Sequence, residues 1–337
     1  MNLRTTRVLP FVVTTTLALS ILSAGCGTKS DTSAPATTAS TAAPDASQGT
    51  IGVSLLTSTN PFFNTMGDSI TQEAAANHMQ TIIQSADYDP VKQSDEVSDF
   101  IAKKVSAIVL NPADSRSIGT AIIAANKAGI PVFTADIASL SKDAKVVTHI
   151  ATDNLAGGRL AGQAMIDALN GQGKVAILDN PVTESVMLRT QGFEEVINKH
   201  NATGPGKIDI VVTLPGGGEK DKSFKATEDI LQSHPDINGI FAINDPSALG
   251  AVAALEKANK ASQIKIVGFD GQPEGKQAIK DGKIYADPIQ FPDQIGKITV
   301  QCIVKYMKGE NLPDHILIPT RLYKKADAEA DKSLTAP

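Results

Sequence analysis

Between residues 50 and 289 the sequence alternates short apolar runs with amphipathic segments, and five of the runs end in a side chain able to make directional hydrogen bonds. That alternation is the signature of repeated strand and helix units around parallel sheets. It predicts strands at 50–56, 80–85, 107–110, 131–135 and 146–150, then a second series at 174–178, 208–213, 239–243, 265–269 and 285–289. Helical periodicity falls between them, over 61–78, 115–128, 155–169, 185–200 and 248–258. In the second of these helices Ile118, Ile122 and Ala125 share one face, and Gly129 with Pro131 stops the helix before the next strand. About 285 residues take part, close to the size at which one core divides. The expected class is α/β, with two doubly wound parallel-sheet lobes.

The N-terminal region has a different composition. Arg4 and Arg7 precede an apolar stretch at 8–23 that is too short and too rich in Thr and Ser to span a membrane. Residues 1–25 therefore read as a signal peptide. The stretch ends Leu22-Ser23-Ala24-Gly25-Cys26, which resembles the lipobox of bacterial lipoproteins. The resemblance implies cleavage before Cys26 and lipidation of its thiol, with ordinary secretion as the alternative. Residues 26–48, almost wholly Ser, Thr, Ala, Pro, Gly and Asp, bury too little apolar surface to offset chain entropy. They are expected to form a tether, and about 23 flexible residues reach ~25–30 Å on average.

Several function classes find no support. The net charge of −5 leaves no basic footprint for nucleic acid. The five histidines lack metal-ligand spacing, and Gly216-Gly217-Gly218-Glu219-Lys220 lacks the Lys-Ser/Thr ending of a phosphate loop. Neither G-x-S-x-G nor H-E-x-x-H occurs, so no metal and no cofactor is expected. Cys302, the only other cysteine, sits in an apolar helical run beside Ile298, Val300 and Ile303 and reads as a buried thiol.

Ligands of doubly wound sheets bind beyond the carboxyl ends of the strands. At those ends stand Asn111, Asp136, Asn244, Asp270 and Gln290, and Asn60-Pro61-Phe62-Phe63 follows the first strand. Each has a structural reading beside the functional one. Asn60 ahead of Pro61 is a helix-cap sequence, Phe62 or Phe63 suits a core, and Asn111-Pro112 and Asp270-Gly271 are turn sequences. Asn244 with Asp245 also suits a cap, with Asp245 the expected cap and Asn244 the ligand residue.

Taken together, Ser58-Thr59-Asn60-Pro61-Phe62-Phe63, Leu110-Asn111-Pro112-Ala113-Asp114-Ser115, His149-Ile150-Ala151-Thr152-Asp153-Asn154, Phe241-Ala242-Ile243-Asn244-Asp245, Val267-Gly268-Phe269-Asp270-Gly271 and Gln290-Phe291-Pro292-Asp293-Gln294-Ile295-Gly296 resemble the ribose-binding branch of the type I periplasmic binding proteins. The resemblance implies two lobes joined by three crossings: 49–152 plus 291–318, and 153–290 plus 319–325; residues 326–337, polar and small, are expected to form a flexible tail. It implies a non-enzymatic, exported monomer that captures a sugar or polyol by hinge closure and delivers it to the membrane permease of an ABC importer. The alternative is a sensory receptor of the same fold. An acid/base pair at Asp136 and Asp270 for glycoside hydrolysis, and the effector core of a transcription regulator, are disfavoured.

By the resemblance Asn60 bonds the ligand, and Phe62 and Phe63 pack on a sugar face. Asp136 and Asp270 accept bonds from its hydroxyls, and Asn111, Asn244 and Gln290 complete the net. Ile137 and Met187 stand where ribose binders place arginine, so the cleft is expected to be less cationic and to bind ribose weakly. Polyols, deoxy sugars or furanoses are the expected preference. Gly218 occupies the loop where a third aromatic is expected.

Overall fold

The computed structural model describes residues 49–334. Cys26, the signal segment and the tether lie outside the described residues. One lobe begins with β1 (Thr50–Leu55), α1 (Pro61–Ala76), β2 (Gln80–Ser85), α2 (Pro90–Ala102), β3 (Ala107–Leu110), α3 (Gly119–Lys127), β4 (Val132–Ala135) and β5 (His149–Thr152). The other comprises α4 (Asn154–Ala168), β6 (Gly173–Asp179), α5 (Glu184–Thr203), β7 (Ile208–Pro215), α6 (Lys220–Ser233), β8 (Gly239–Ala242), α7 (Asp245–Lys257), β9 (Lys265–Val267), α8 (Pro273–Lys280) and β10 (Ala286–Ile289). The chain then returns to the first lobe through α9 (Pro292–Met307) and β11 (His315–Ile318). It crosses a third time into β12 (Arg321–Lys324) and α10 (Lys325–Ala330).

Among the described residues the first sheet runs β11-β5-β4-β3-β1-β2 with parallel neighbours, and the second runs β12-β10-β9-β8-β6-β7, antiparallel only at β12. The direction of winding reverses between β1 and β3, and between β6 and β8. Loops leaving those neighbouring strands diverge and open a crevice at the carboxyl ends. The inner strands β3, β4 and β8 are buried throughout, as the apolar runs that mark them require of sheets covered on both faces. Burying each of their large side chains stabilises the fold by ~1.5–3 kcal/mol.

Helix caps set where the strand-end loops stop. Asp89 Oδ1 accepts from the Val91 N–H at 2.7 Å, and Asp153 Oδ1 accepts from the Ala156 N–H at 3.0 Å. Helices α4 and α5 pack backbone to backbone: a Cβ on Gly158 would stand 2.1 Å from the Arg189 carbonyl oxygen, and one on Gly192 would stand 2.3 Å from that of Leu155. No other residue type permits this approach, which brings Arg189 against α4.

The crossings are tied together. The Asp153 N–H donates to Ile318 O at 2.9 Å, and Thr320 Oγ1 donates to Ile289 O at 2.7 Å. Away from the crossings the lobes meet again, where the Ser115 N–H donates to Val182 O and Ser115 Oγ accepts from the Glu184 N–H, both at 2.9 Å.

Two expectations are corrected. The fifth strand begins at His149 rather than 146, because its ladders with β4 and β11 both start at that residue. Val146 and Val147 pack on the core from a bend instead. The segment from 326 to 334 is not a frayed tail. Ala328 is fully buried in the second-lobe core, the Lys324 N–H donates to Asp327 Oδ2 at 2.9 Å, and Tyr323 Oη donates to Asp331 Oδ2 at 2.9 Å.

Candidate functional site

The carboxyl ends of the two sheets face one cavity. On the first lobe Asn60 caps α1, its Oδ1 accepting from the Phe62 N–H at 3.0 Å. This cap fixes the start of the helix so that Phe62 and Phe63, edge to face at 5.2 Å, stand in the cavity wall while their rings stay in the core. The cap, core and wall readings of these residues therefore hold together. At the end of β4 the backbone turns through a positive φ of 64° at Asp136, and the Asp136 N–H donates to Ile150 O at 2.8 Å. The turn presents Asp136 and Ile137 to the cavity. Asp136 Oδ1 meets no partner among the described residues. Burial pushes this carboxyl up to about 7, against the pull of Arg189 and with added repulsion from Asp270 and Glu184.

Asn111 is fully buried just below the cavity and does not line it. Its Nδ2 donates to the Ala135 carbonyl, which fixes the strand end that carries Asp136. Its role in this geometry is to position that aspartate.

The second-lobe wall centres on Arg189, a residue the sequence reading passed over. Its Nε donates to Asn154 Oδ1 at 2.8 Å, and its Nη1 donates to Ile243 O at 2.8 Å and to Asp270 Oδ1 at 3.1 Å. The guanidinium lies 4.0 Å from the centre of the Phe269 ring. Gln290 Nε2 donates to the same Asp270 oxygen at 2.6 Å, leaving Gln290 Oε1 without a partner. Burial raises Asp270 above the usual carboxylate range, while Arg189 and the Gln290 bond pull it down. Asn244 lines the cavity but is also the cap of α7, accepting from the Ser247 N–H at 2.9 Å and donating to Gly218 O at 3.0 Å. Asp245, expected as that cap, instead accepts from the Gln272 N–H at 2.6 Å behind the wall. There it meets Asp287, which burial pushes up to about 7.

Met187 does not line the cavity. It lies half-buried at the lobe edge, its sulfur 3.7 Å from Arg116 Nη2. The cationic group of the second-lobe wall arrives two residues later, at Arg189, so the cleft expected to be less cationic holds a buried guanidinium. A signal for it existed. Val186, Arg189, Phe193 and Ile197 share one helix face, and a cation in an apolar stripe must be buried and paired.

Traced by the centre of a water molecule, the cavity holds about 40 Å³. Taken as a single sphere and enlarged by a radius of ~1.4 Å on every side, that space corresponds to roughly 180 Å³, about the size of one monosaccharide. Its wall combines aromatic faces for C–H groups, carboxylates for hydroxyl donors and a guanidinium for oxygens.

The sequence profile of the periplasmic binding protein domain matches residues 51–311. The chain belongs to that family. A ribose import binding protein of Salmonella typhimurium is 34% identical over 83% of this chain and 92% of its own length. A solute-binding protein of Bacillus halodurans, solved with myo-inositol, superposes with a TM-score of 0.77 at 27% identity, over 87% of this chain and 99% of that one. One from Actinobacillus succinogenes, solved with D-allose, gives 0.76 at 29% identity, over 84% and 99%. The fold of this chain is the type I arrangement, and the periplasmic binding proteins to which it is similar are exported solute-binding components of importers.

Proposed function

We propose that this chain captures a single sugar or polyol in the cavity between its lobes and presents it to the permease of an ABC importer. One observation carries the reading: Phe62, Phe63 and Asp136 of one lobe and Arg189, Asp270 and Gln290 of the other converge on a monosaccharide-sized space. Contacts to both walls exist only when the lobes are together, so the ligand itself stabilises closure. In this reading the aromatic rings cover the ligand's C–H face, Asp136 and Gln290 take up its hydroxyls, and Asn60 and Asn244 hold the rim. The chain acts as a monomer, and Cys26 carries a lipid that keeps it at the outer face of the membrane.

A thermal-shift screen of the soluble chain from residue 27 with D-ribose, D-allose, myo-inositol and glycerol tests the capture. A ligand at 100 times its dissociation constant adds about 2.7 kcal/mol. At least one is expected to raise the melting temperature, and no response to these or other pentoses, hexoses and polyols contradicts the reading. For the anchor, Cys26→Ser is expected to release the full-length protein from the membrane fraction with ligand binding intact. Full membrane retention of that variant overturns lipidation at Cys26.

A further inference from the structure

Outside the inner cavity lies a larger groove of about 620 Å³, and the two share only Asn60, Tyr88 and Gly218. Tyr88 comes from the loop after β2 of the first lobe, and Gly218 from the loop after β7 of the second. The loop after β7 is where a closing aromatic was expected. Gly218 supplies no side chain, and its φ of 71° together with the Asn244 amide 3.1 Å from where a Cβ would sit make the position suited to glycine. The aromatic ring at this point of the cleft belongs instead to the opposite lobe.

We propose that Tyr88, set against Gly218 across the cleft, is the gate that seals the inner cavity from the outer groove and limits the ligand to one sugar ring. The proposal rests on the sugar-capture reading above.

The backbone is committed to this placement. Asp87 and Tyr88 are consecutive left-handed residues, with φ of 52° and 64°, a rare arrangement for a bulky side chain. It is held from every side. The Tyr88 N–H donates to Leu56 O at 3.0 Å, the Asp89 N–H donates to Ala86 O at 2.9 Å, and Asp87 accepts from Ser85 Oγ at 2.7 Å and Lys92 Nζ at 2.5 Å. The ring packs against the first-lobe core, and its hydroxyl lies near Thr59. Because the ring travels with the first lobe, it closes the cavity only when the lobes close. A substituent on the sugar that points toward the groove meets Tyr88.

The test compares the wild-type chain from residue 27 with Tyr88→Phe and Tyr88→Ala, by calorimetry and stopped-flow, using D-ribose, D-allose and their 4-nitrophenyl β-glycosides. Wild type is expected to bind at least one free sugar and to reject its nitrophenyl glycoside. Tyr88→Phe keeps the ring and stays within about 3-fold of wild type. Tyr88→Ala binds the free sugar at least 10-fold more weakly, mainly through faster dissociation, and admits the glycoside. Tyr88→Leu, which keeps the core packing without the reach, repeats the test if Tyr88→Ala does not fold. Wild-type selectivity retained in the truncated variants, or a loss in Tyr88→Phe equal to that in Tyr88→Ala, overturns the gate alone. Absence of binding by wild type to any of the four probes overturns the gate as stated, whereas the wider sugar and polyol screen decides the capture reading separately.

Discussion

The first-lobe wall surrounds one carboxylate, Asp136, with Phe62, Phe63, Tyr88 and Ile137, and leaves Asp136 Oδ1 without a partner. The second-lobe wall holds Arg189, Asp270 and Gln290 already bonded to one another, with Asn154 also bonded to Arg189, and leaves Gln290 Oε1 open. The same doubly wound architecture thus supports one polar wall bonded largely within itself and one whose carboxylate is left open. Apart from Gln290 Oε1, the second wall meets a ligand without reorganisation and contributes mainly shape and field. A hydroxyl donor arriving at Asp136 relieves a buried carboxyl oxygen and one arriving at Gln290 relieves a buried amide oxygen, and because a bond to a charged acceptor is the stronger, the larger polar gain falls on the first lobe.

Removing the centre of the second-lobe wall has the largest expected effect. Arg189→Met leaves Asp270 buried and uncompensated and is expected to cost ~3–5 kcal/mol of folding stability, read as a lower urea midpoint with an unchanged slope. An unchanged midpoint would mean that the second-lobe network is not structural.

Asp136→Asn should do the reverse, sparing the fold and costing affinity. A lost charge-assisted bond weakens ligand binding by ~1.5–3 kcal/mol, measured by calorimetry, while ligand-free stability at pH 7 is unchanged or higher. The pH dependence has a definite sign. Asp136 titrates at about 7 when folded, above the ordinary 3.8, so its contribution to stability is full below about pH 4 and is lost as pH rises to 7. Asp136→Asn is expected to make that decline shallower without abolishing it, since Asp287 is raised in the same direction. A decline identical to wild type would remove Asp136 as a titrating group.

The smallest effect is expected at the rim. Asn60→Ala loses the cap of α1 and about 1 kcal/mol of stability, together with a modest loss of affinity. A loss of affinity without any loss of stability would separate the two roles that the geometry combines in this side chain.

How much of this was legible beforehand depended on the range of the interaction. The strand ends were legible because Asn111, Asp136, Asn244, Asp270 and Gln290 each close an apolar run, a local pattern. The same residues were hard to assign because cap, turn and ligand signals share one chemistry. Asn244 proved to cap α7 while lining the cavity, and Asn111 proved to hold the end of β4. Arg189 and Tyr88 were missed for a different reason. Arg189 reaches the wall only through the glycine-mediated contact of α4 with α5, and Tyr88 only through two left-handed residues in a loop. The start of β5 was misplaced because Val146 and Val147 extend the apolar run without joining the ladder, and α10 was missed because its short polar run hides one buried residue, Ala328.

The contrast between the walls is tested most directly by counting protons on binding. Calorimetry of the best ligand from the screen at pH 7, in two buffers of different ionisation enthalpy, reports the protons exchanged per site. With Asp136 near half-ionised when free, a hydroxyl donor that favours the carboxylate should release up to about half a proton, and Asp136→Asn should release markedly less. Equal proton release in the two proteins, or none in wild type, would contradict the account.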